Sequence, residues 1–487
     1  MNLQELTSAI KKEDWEYLVD RRETVLHRSF TAACYDYFFE ETGIKISRAT
    51  VVRPGGDVWY PQSVLEKVRE TFRRGGVARC LDFQKRLIRT VRALDRLATR
   101  YERRKSFAHF SDVQLRRMLS EFVTFTIRAN AFLLPFPVAD GVIVDLIRAE
   151  LPQASRDQQT EWICTLTFPV KENAHARELR SLLMLAQRSN EQRIVKHRQR
   201  FSWIGARGLW WQDAWTPAMI RARIHASHAA GKNPVEVIAE QRAVRRAIMY
   251  DARRLTQTLA IKHGSRLAKL IAIARDYAYL RTWRTDVVYG SSYRARGLFQ
   301  ELARRSHVDY FHLPYLTFQE FQELVLTFRF PITQQELRRR IAAGKDYLVT
   351  IRCGREYFVY TGKRWVAYFQ KLVRGNTQQS RVTAVRGSIA YPGVVRGRAR
   401  IVLSTDDLSK VRRGDILVAV MTFPNFIPAM EKAAAFVTDE GGILCHASIV
   451  SREMGKPCVI GTKSATTVFR DGDRIEVDAT HCIVRKL

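Results

Sequence analysis

The sequence predicts a mainly α N-terminal region followed by a compact α/β domain, and three observations carry that prediction. Apolar residues recur at helical spacing from the start to about residue 305. From about residue 381, short β-branched runs alternate with short helical runs, the pattern of a mixed α/β domain. At 487 residues the chain also exceeds one ordinary core, since a prior of roughly 150 residues per domain gives two to four domains.

In "SVLEKVRETF", Val64, Leu65, Val68 and Phe72 fall on one helical face, and similar runs recur through residues 1–305, which can divide into two helical subdomains. The exception is "GIKISRATVVRPGGDVWYP", where β-branched residues flank a Pro-Gly-Gly turn and predict a short β excursion near residues 42–60. In "SRLAKLIAIARDYAYLRTWR", Leu267, Leu270, Ile271, Ala274, Tyr277 and Ala278 form one stripe, which continues to Arg281 and Arg284. Either these two guanidinium groups pass the edge of the core and snorkel to water, or they line an anion-accepting pocket between helices.

Residues 306–380 read as a helix, a small β segment in "DYLVTIRCGREYFVYTGKRWVAYF", and a polar linker in "VRGNTQQS", 373–380. Within 381–487, strands are expected in "RGRARIVLS", "DILVAVM", "AAFVTD", "KPCVIGT" and "DRIEVDA", and helices in "NFIPAMEKAA" and "HASIVSREMG".

An apolar content of 46% with 27% charged residues is that of a globular chain able to bury a large interior. Seven scattered cysteines without a CxxC pair signal neither a disulfide framework nor a zinc site, and they fit a reducing cytoplasm. The N-terminus lacks the apolar core of an export signal. The most apolar run, "FVTFTIRANAFLLPFPVADGVIVDLI", is broken by Arg128, Asn130, two prolines and Asp140, so it reads as buried helix and loop; a cytoplasmic location and no membrane partner are expected. The net charge of +32 divides into +5 on residues 381–487 and +27 upstream. Such an excess opposes compaction and favours polyanions or acidic partners.

The chemistry concentrates in "TDEGGILCHASIVSRE", 438–453. A strand ends at Thr438, Gly441 and Gly442 let the backbone turn closely, and His446 arrives in the first turn of the next helix. Free amides and the positive end of the helix dipole make such a place receptive to an anion. A histidine there can be neutral, act as a nucleophile and carry a covalent group, which hints at phosphohistidine chemistry. On this spacing alone, a capping or surface role for His446 is the ordinary reading.

The flanking runs "SIAYPGVVRGRARIVLS", "GDILVAVMTFPNFIPAMEKAAAFVTDEGGILCHASIVSREMGKPCVIGT" and "FRDGDRIEVDA" resemble, in order and spacing, the swivelling phosphohistidine domain of PEP-utilising enzymes. That family includes phosphoenolpyruvate synthase, pyruvate phosphate dikinase and rifampin phosphotransferase. The resemblance covers roughly residues 385–487 and implies a mobile carrier, with His446 taking a phosphoryl group at one site and swinging it to another. It further implies that Thr438 donates a hydrogen bond to the phosphoryl oxygens and that Gly441 and Gly442 let the group approach. Cys445 stands where the family tolerates Ser or Cys and is assigned no catalytic role. Arg452, six residues beyond His446, is expected to pack or dock rather than touch phosphate. Thr422 in "MTFPNFIPAM" either faces the site or serves an ordinary loop role. His197 and His481 read as structural or surface residues.

Upstream, "ARDYAYLRTWRTDVVYGSSYRARGLFQELARRSHVDYFHLPYLTFQEFQELV" resembles the helical region that precedes the carrier in rifampin-phosphotransferase-like and PEP-synthase-like proteins, where that region can hold the acceptor. Neither an ATP-grasp domain, a PEP/pyruvate barrel nor a Walker-type loop is recognised. The expectation is therefore a phosphotransferase component charged in trans by an ATP-grasp or PEP-binding partner, with a small-molecule acceptor held near Arg281 and Arg284. No tightly bound cofactor and no metal site are expected in the chain itself, and Mg²⁺ would accompany the donor nucleotide or PEP on the partner. The competing reading is a nucleic-acid-binding or regulatory protein that retains a carrier-like domain. It draws on the basic and aromatic interleaving of "HRQRFSWIGARGLWWQDAW".

Overall fold

The computed structural model describes the chain apart from residues 21–22, 47–49, 105, 188, 205–214, 230–232, 375–382, 404, 423–425 and 443–444. The helical part is built around the helix Gln62–Glu102, kinked at Gly76, whose φ of +50° and ψ of −135° leave the helical region. Its Leu87, Val91, Leu94 and Ala98 are fully buried beneath the helices Asp112–Asn130, Pro135–Glu150 and Arg266–Arg294. The stretch Asp112–Glu150 is long and apolar enough by composition to cross a membrane, yet most of its apolar window is buried in this core. It is two helices separated by a turn, with Phe122, Phe132 and Phe136 inside.

The β excursion extends further than expected and crosses the anticipated boundary at residue 305. Strands β1 (Trp15–Asp20), β2 (Val51–Pro54), β3 (Asp57–Pro61), β4 (Leu348–Cys353) and β5 (Glu356–Thr361) make one antiparallel sheet in the order β1-β3-β2-β4-β5. Val52 pairs with Ile351, so segments 300 residues apart share a ladder. Residues 306–380 thus share a sheet with residues 1–305. Two buried arginines reinforce the junction. Arg28, on the helix Val25–Ala33, donates to the carbonyls of Leu348 at 3.1 Å and Lys345 at 2.8 Å. Arg352 on β4 donates to Ala32 O and, at 2.7 Å, to Asp36 Oδ1. One guanidinium can satisfy several oxygens at once, so part of the chain's arginine content serves as internal ties and not as surface charge. Of the expected linker 373–380, residues 375–380 lie outside the described residues.

The C-terminal part is a mixed sheet with strands β6 (Ala384–Arg386), β7 (Ser388–Tyr391), β8 (Val394–Val402), β9 (Ile416–Ala419), β10 (Ala435–Thr438), β11 (Cys458–Ile460), β12 (Arg474–Asp478) and β13 (Ile483–Lys486). Their order is β6-β13-β12-β8-β9-β10-β11-β7. Four adjacent strands, β8 to β11, run parallel. Four-residue runs such as Ile416–Ala419 and Ala435–Thr438 are buried throughout, as parallel strands covered on both faces require. One face packs on the helices Ile427–Lys432 and His446–Met454, the other around Phe469, Ile475 and Val477. The five expected strands and both helices of this domain are present; β6, β7 and β13 are additions at the edges.

Candidate functional site

His446 opens the helix His446–Met454, and Cys445 is its N-cap residue, with an extended backbone. The approach to it is a tight bend from the end of β10. Gly441 has φ +116°, and a Cβ there would lie 2.7 Å from Cys445 Sγ, so only glycine fits. A Cβ at Gly442 would meet nothing within 4 Å among the described residues, which leave the space beside it open. The bend is anchored from behind by Asp439, a buried carboxylate that accepts hydrogen bonds from Thr462 Oγ1 at 3.1 Å and from the Thr466 backbone N–H at 3.1 Å. Burial pushes Asp439 above the usual carboxylate range, and the Thr466 bonds pull it back. Burial likewise raises the Cys445 thiol, which keeps it protonated and inert, in line with a packing role.

The expected donation from Thr438 to a phosphoryl group does not match this arrangement. Thr438 is fully buried, and its hydroxyl donates to Glu440 O at 2.6 Å, closing the bend on itself. Thr422 instead holds the histidine: its Oγ1 lies 2.9 Å from His446 Nδ1. The tautomer with its proton on Nδ1 donates that proton to Thr422 and keeps the lone pair on Nε2.

The helix face that bears His446 is docked on the helical part. Ile449, three residues on and on the same face, is buried in the core cluster of that part, and Met421 packs against the same cluster. One turn further, Arg452 Nη1 donates to Cys164 O at 2.5 Å, while Nε and Nη2 are held by Ser448 O and Oγ, both at 2.8 Å. Glu453 pairs with Arg245 at 3.6 Å. Arg452 therefore docks and stays clear of the loop. In this arrangement His446 Nε2 has no contact with solvent.

Across the interface, Arg281 Nη1 donates to Asp140 Oδ2 at 2.8 Å, and both charges are felt by the Cys445 thiol. Arg284 is buried, with Nη1 bonded to Asn130 Oδ1 at 3.1 Å. Neither guanidinium simply snorkels to water. The structure brings Arg281 toward the carrier loop and turns Arg284 into the helical core. Asp140, which the sequence shows only as a break in an apolar run, completes this cluster; a carboxylate where helical spacing demands an apolar residue was the available signal. His197 is buried between Ser181 Oγ at 2.9 Å and Glu178 Oε1 at 3.2 Å, and the exposed His481 pairs with Asp478 at 2.8 Å. Among the described residues, no three His, Cys, Asp or Glu side chains gather as a metal site.

Residues 411–482 match the family described as PEP-utilising enzyme, mobile domain. Over this part the chain is similar to a probable phosphoenolpyruvate synthase of Archaeoglobus fulgidus, 52% identical over 100 residues, which is 20% of this chain and 13% of that protein. A phosphoenolpyruvate synthase of Pyrococcus furiosus is 49% identical over 102 residues, 21% of this chain and 12% of that protein. That of Deinococcus radiodurans is 44% identical over 139 residues, 28% and 16% respectively. The chain thus matches between 12% and 16% of the length of these three relatives. Among solved structures, Thermococcus kodakaraensis aconitase X is similar at 19% identity over 21% of this chain and 98% of that chain, with a TM-score of 0.17, too low to support an argument.

Proposed function

We propose, from the premise that the C-terminal part of this chain is a mobile domain of the PEP-utilising enzymes, that His446 is a phosphoryl carrier charged in trans by an ATP-grasp or PEP-binding partner. Nε2 in its neutral form attacks the donor phosphoryl group, and the hydrogen bond from Nδ1 to Thr422 fixes the ring and stabilises the charge that develops on it. The open space beside Gly442 and the helix N-terminus receive the phosphoryl oxygens. Mg²⁺ in this reading stays with the donor phosphates on the partner. The charged domain then docks on the helical part, where a small-molecule acceptor waits near Arg281, with Arg284 and Asn130 behind it.

The single observation that carries this reading is the docked helix face. Ile449 and Arg452, three and six residues beyond the family's histidine on the same short helix, meet the helical part. The nucleic-acid alternative gains no support from the relatives, and Arg28, Arg284, Arg340 and Arg352, which add to the positive charge upstream of residue 381, are buried inside the protein.

Incubation with labelled ATP or PEP and the candidate partner is expected to leave an acid-labile, alkali-stable label on the chain. Label that persists undiminished in His446→Ala would refute the assignment.

A further inference from the structure

We infer that Asp140 and Arg281 form the acceptor-side catalytic centre, and that the acceptor presents a hydroxyl group to them. The inference rests on the carrier reading of His446 and deepens it. Asp140 lies on Pro135–Glu150 and Arg281 on Arg266–Arg294, so the pair bridges two core helices. Only one carboxylate oxygen is used: Oδ2 accepts from Arg281, whereas Oδ1 is buried with no hydrogen-bond partner among the described residues. An acceptor atom left unsatisfied in the interior costs about 1–3 kcal/mol, so its retention calls for a ligand that completes it. Asn130 Nδ2, whose amide oxygen anchors Arg284, is a second buried polar atom without a partner among the described residues.

The charge of the orphan oxygen selects the acceptor. A carboxylate or phosphate nucleophile brought against Asp140 would be repelled and would need no base. A hydroxyl both satisfies Oδ1 and needs its proton removed. The charged and titratable groups facing Asp140 are Arg281 and Tyr277 on the Arg266–Arg294 helix and Cys445 on the docked carrier loop. Burial raises Asp140 to about 6 against the pull of Arg281, so the carboxylate is charged at neutral pH yet basic enough to take a proton.

In the transfer step, the acceptor O–H proton passes to Asp140 Oδ1 as the acceptor oxygen bonds to phosphorus. The P–N bond to His446 Nε2 breaks, and its electron pair returns to the ring. Arg281 balances charge on the equatorial oxygens, and the proton leaves Asp140 for solvent when the carrier lifts away with the product free. With the carrier docked, Asp140 is buried while Arg281 keeps some exposure, and shielding the carboxylate from water favours the acceptor hydroxyl over hydrolysis.

The test loads the full chain with potassium phosphoramidate, a reagent that phosphorylates histidine, removes the reagent, and adds ethylene glycol as the hydroxyl probe. Phosphorus NMR follows loss of phosphohistidine and growth of the phosphate ester between pH 5 and 8. The wild-type rate is expected to rise through about pH 6, against the acid-promoted decay of free phosphohistidine. Asp140→Asn is expected to slow ester formation by about 100-fold and to abolish the rise. Arg281→Gln slows it with the rise retained, and Asp140→Glu recovers part of the rate, which decides the matter should Asp140→Asn fold poorly. Phosphohistidine at His446 that decays with the same rate and pH profile in wild type and in all three variants overturns the inference and leaves the carrier intact. Failure of His446 to load at all, judged against His446→Ala, removes the carrier reading and the inference with it.

Discussion

The helical part and the carrier domain are held together by different means. The helical part relies on ties between residues far apart in sequence: Arg28 reaches Leu348 and Lys345, Arg352 reaches Ala32 and Asp36, and Arg294 reaches Asp95 at 2.5 Å. The carrier domain relies on a parallel ladder and on short loops closed locally, as where Thr438 bonds Glu440 and Asp439 bonds Thr462 and Thr466. One unit is a web of long-range ties. The other is built about its own core on both faces of the sheet, and the proposed carrier role requires it to leave its dock with that core intact.

The sharpest way to break this contrast is at the histidine. His446→Ala is expected to abolish label transfer completely while leaving the melting of both parts unchanged, the hydrogen bond to Thr422 being lost with the ring. Arg352→Ala tests the web: loss of a buried guanidinium that ties Ala32 O, Asp36 and Gly354 O is expected to destabilise the helical part by about 4 kcal/mol. Denaturant unfolding read by hydrogen exchange should show that loss in the helical part and leave the carrier sheet protected.

Acidity offers a third comparison. Burial holds the folded pKa of Asp140 at about 6, above the ordinary carboxylate value of 3.8, so between those values the folded protein binds more protons than the unfolded chain. Its contribution therefore falls as pH rises from about 4 to 6, by about 3 kcal/mol, and stays at the lower level above that window. Denaturant midpoints of wild type and Asp140→Asn across pH 4 to 7 check this, since the variant should lack that component of the slope. Smallest is the local loop. Gly441→Ala must hold φ near +116° and push Cys445 Sγ away, which costs about 2 kcal/mol in the carrier domain alone, visible as a lower midpoint of its unfolding transition.

The same difference governs what could be read from the sequence. The carrier's strands and helices were legible because each is a short run bounded by its own turn, and His446 was legible because a glycine bend and a helix start are local patterns. The partnership of β2 with β4 was not, since nothing local in Val51–Pro54 names Leu348–Cys353 as its neighbour. Arg281 and Arg284 look alike on a helical stripe, yet tertiary partners separate them: Asp140 holds one near the interface, and Asn130 draws the other inward. The hydroxyl of Thr438 was assigned to phosphate by resemblance, and the closed bend takes it for Glu440 O. Thr422 stands 24 residues from His446, too far for spacing to join them.

In the proposed carrier, Thr422 fixes Nδ1 so that Nε2 carries the phosphoryl group. Phosphorus NMR of the full chain after phosphoryl loading tests it most directly, because the two ring nitrogens give distinct phosphohistidine resonances. One resonance is expected, from the Nε2 adduct, and it is absent in His446→Ala. A resonance from the Nδ1 adduct, or one that survives that substitution, would contradict it.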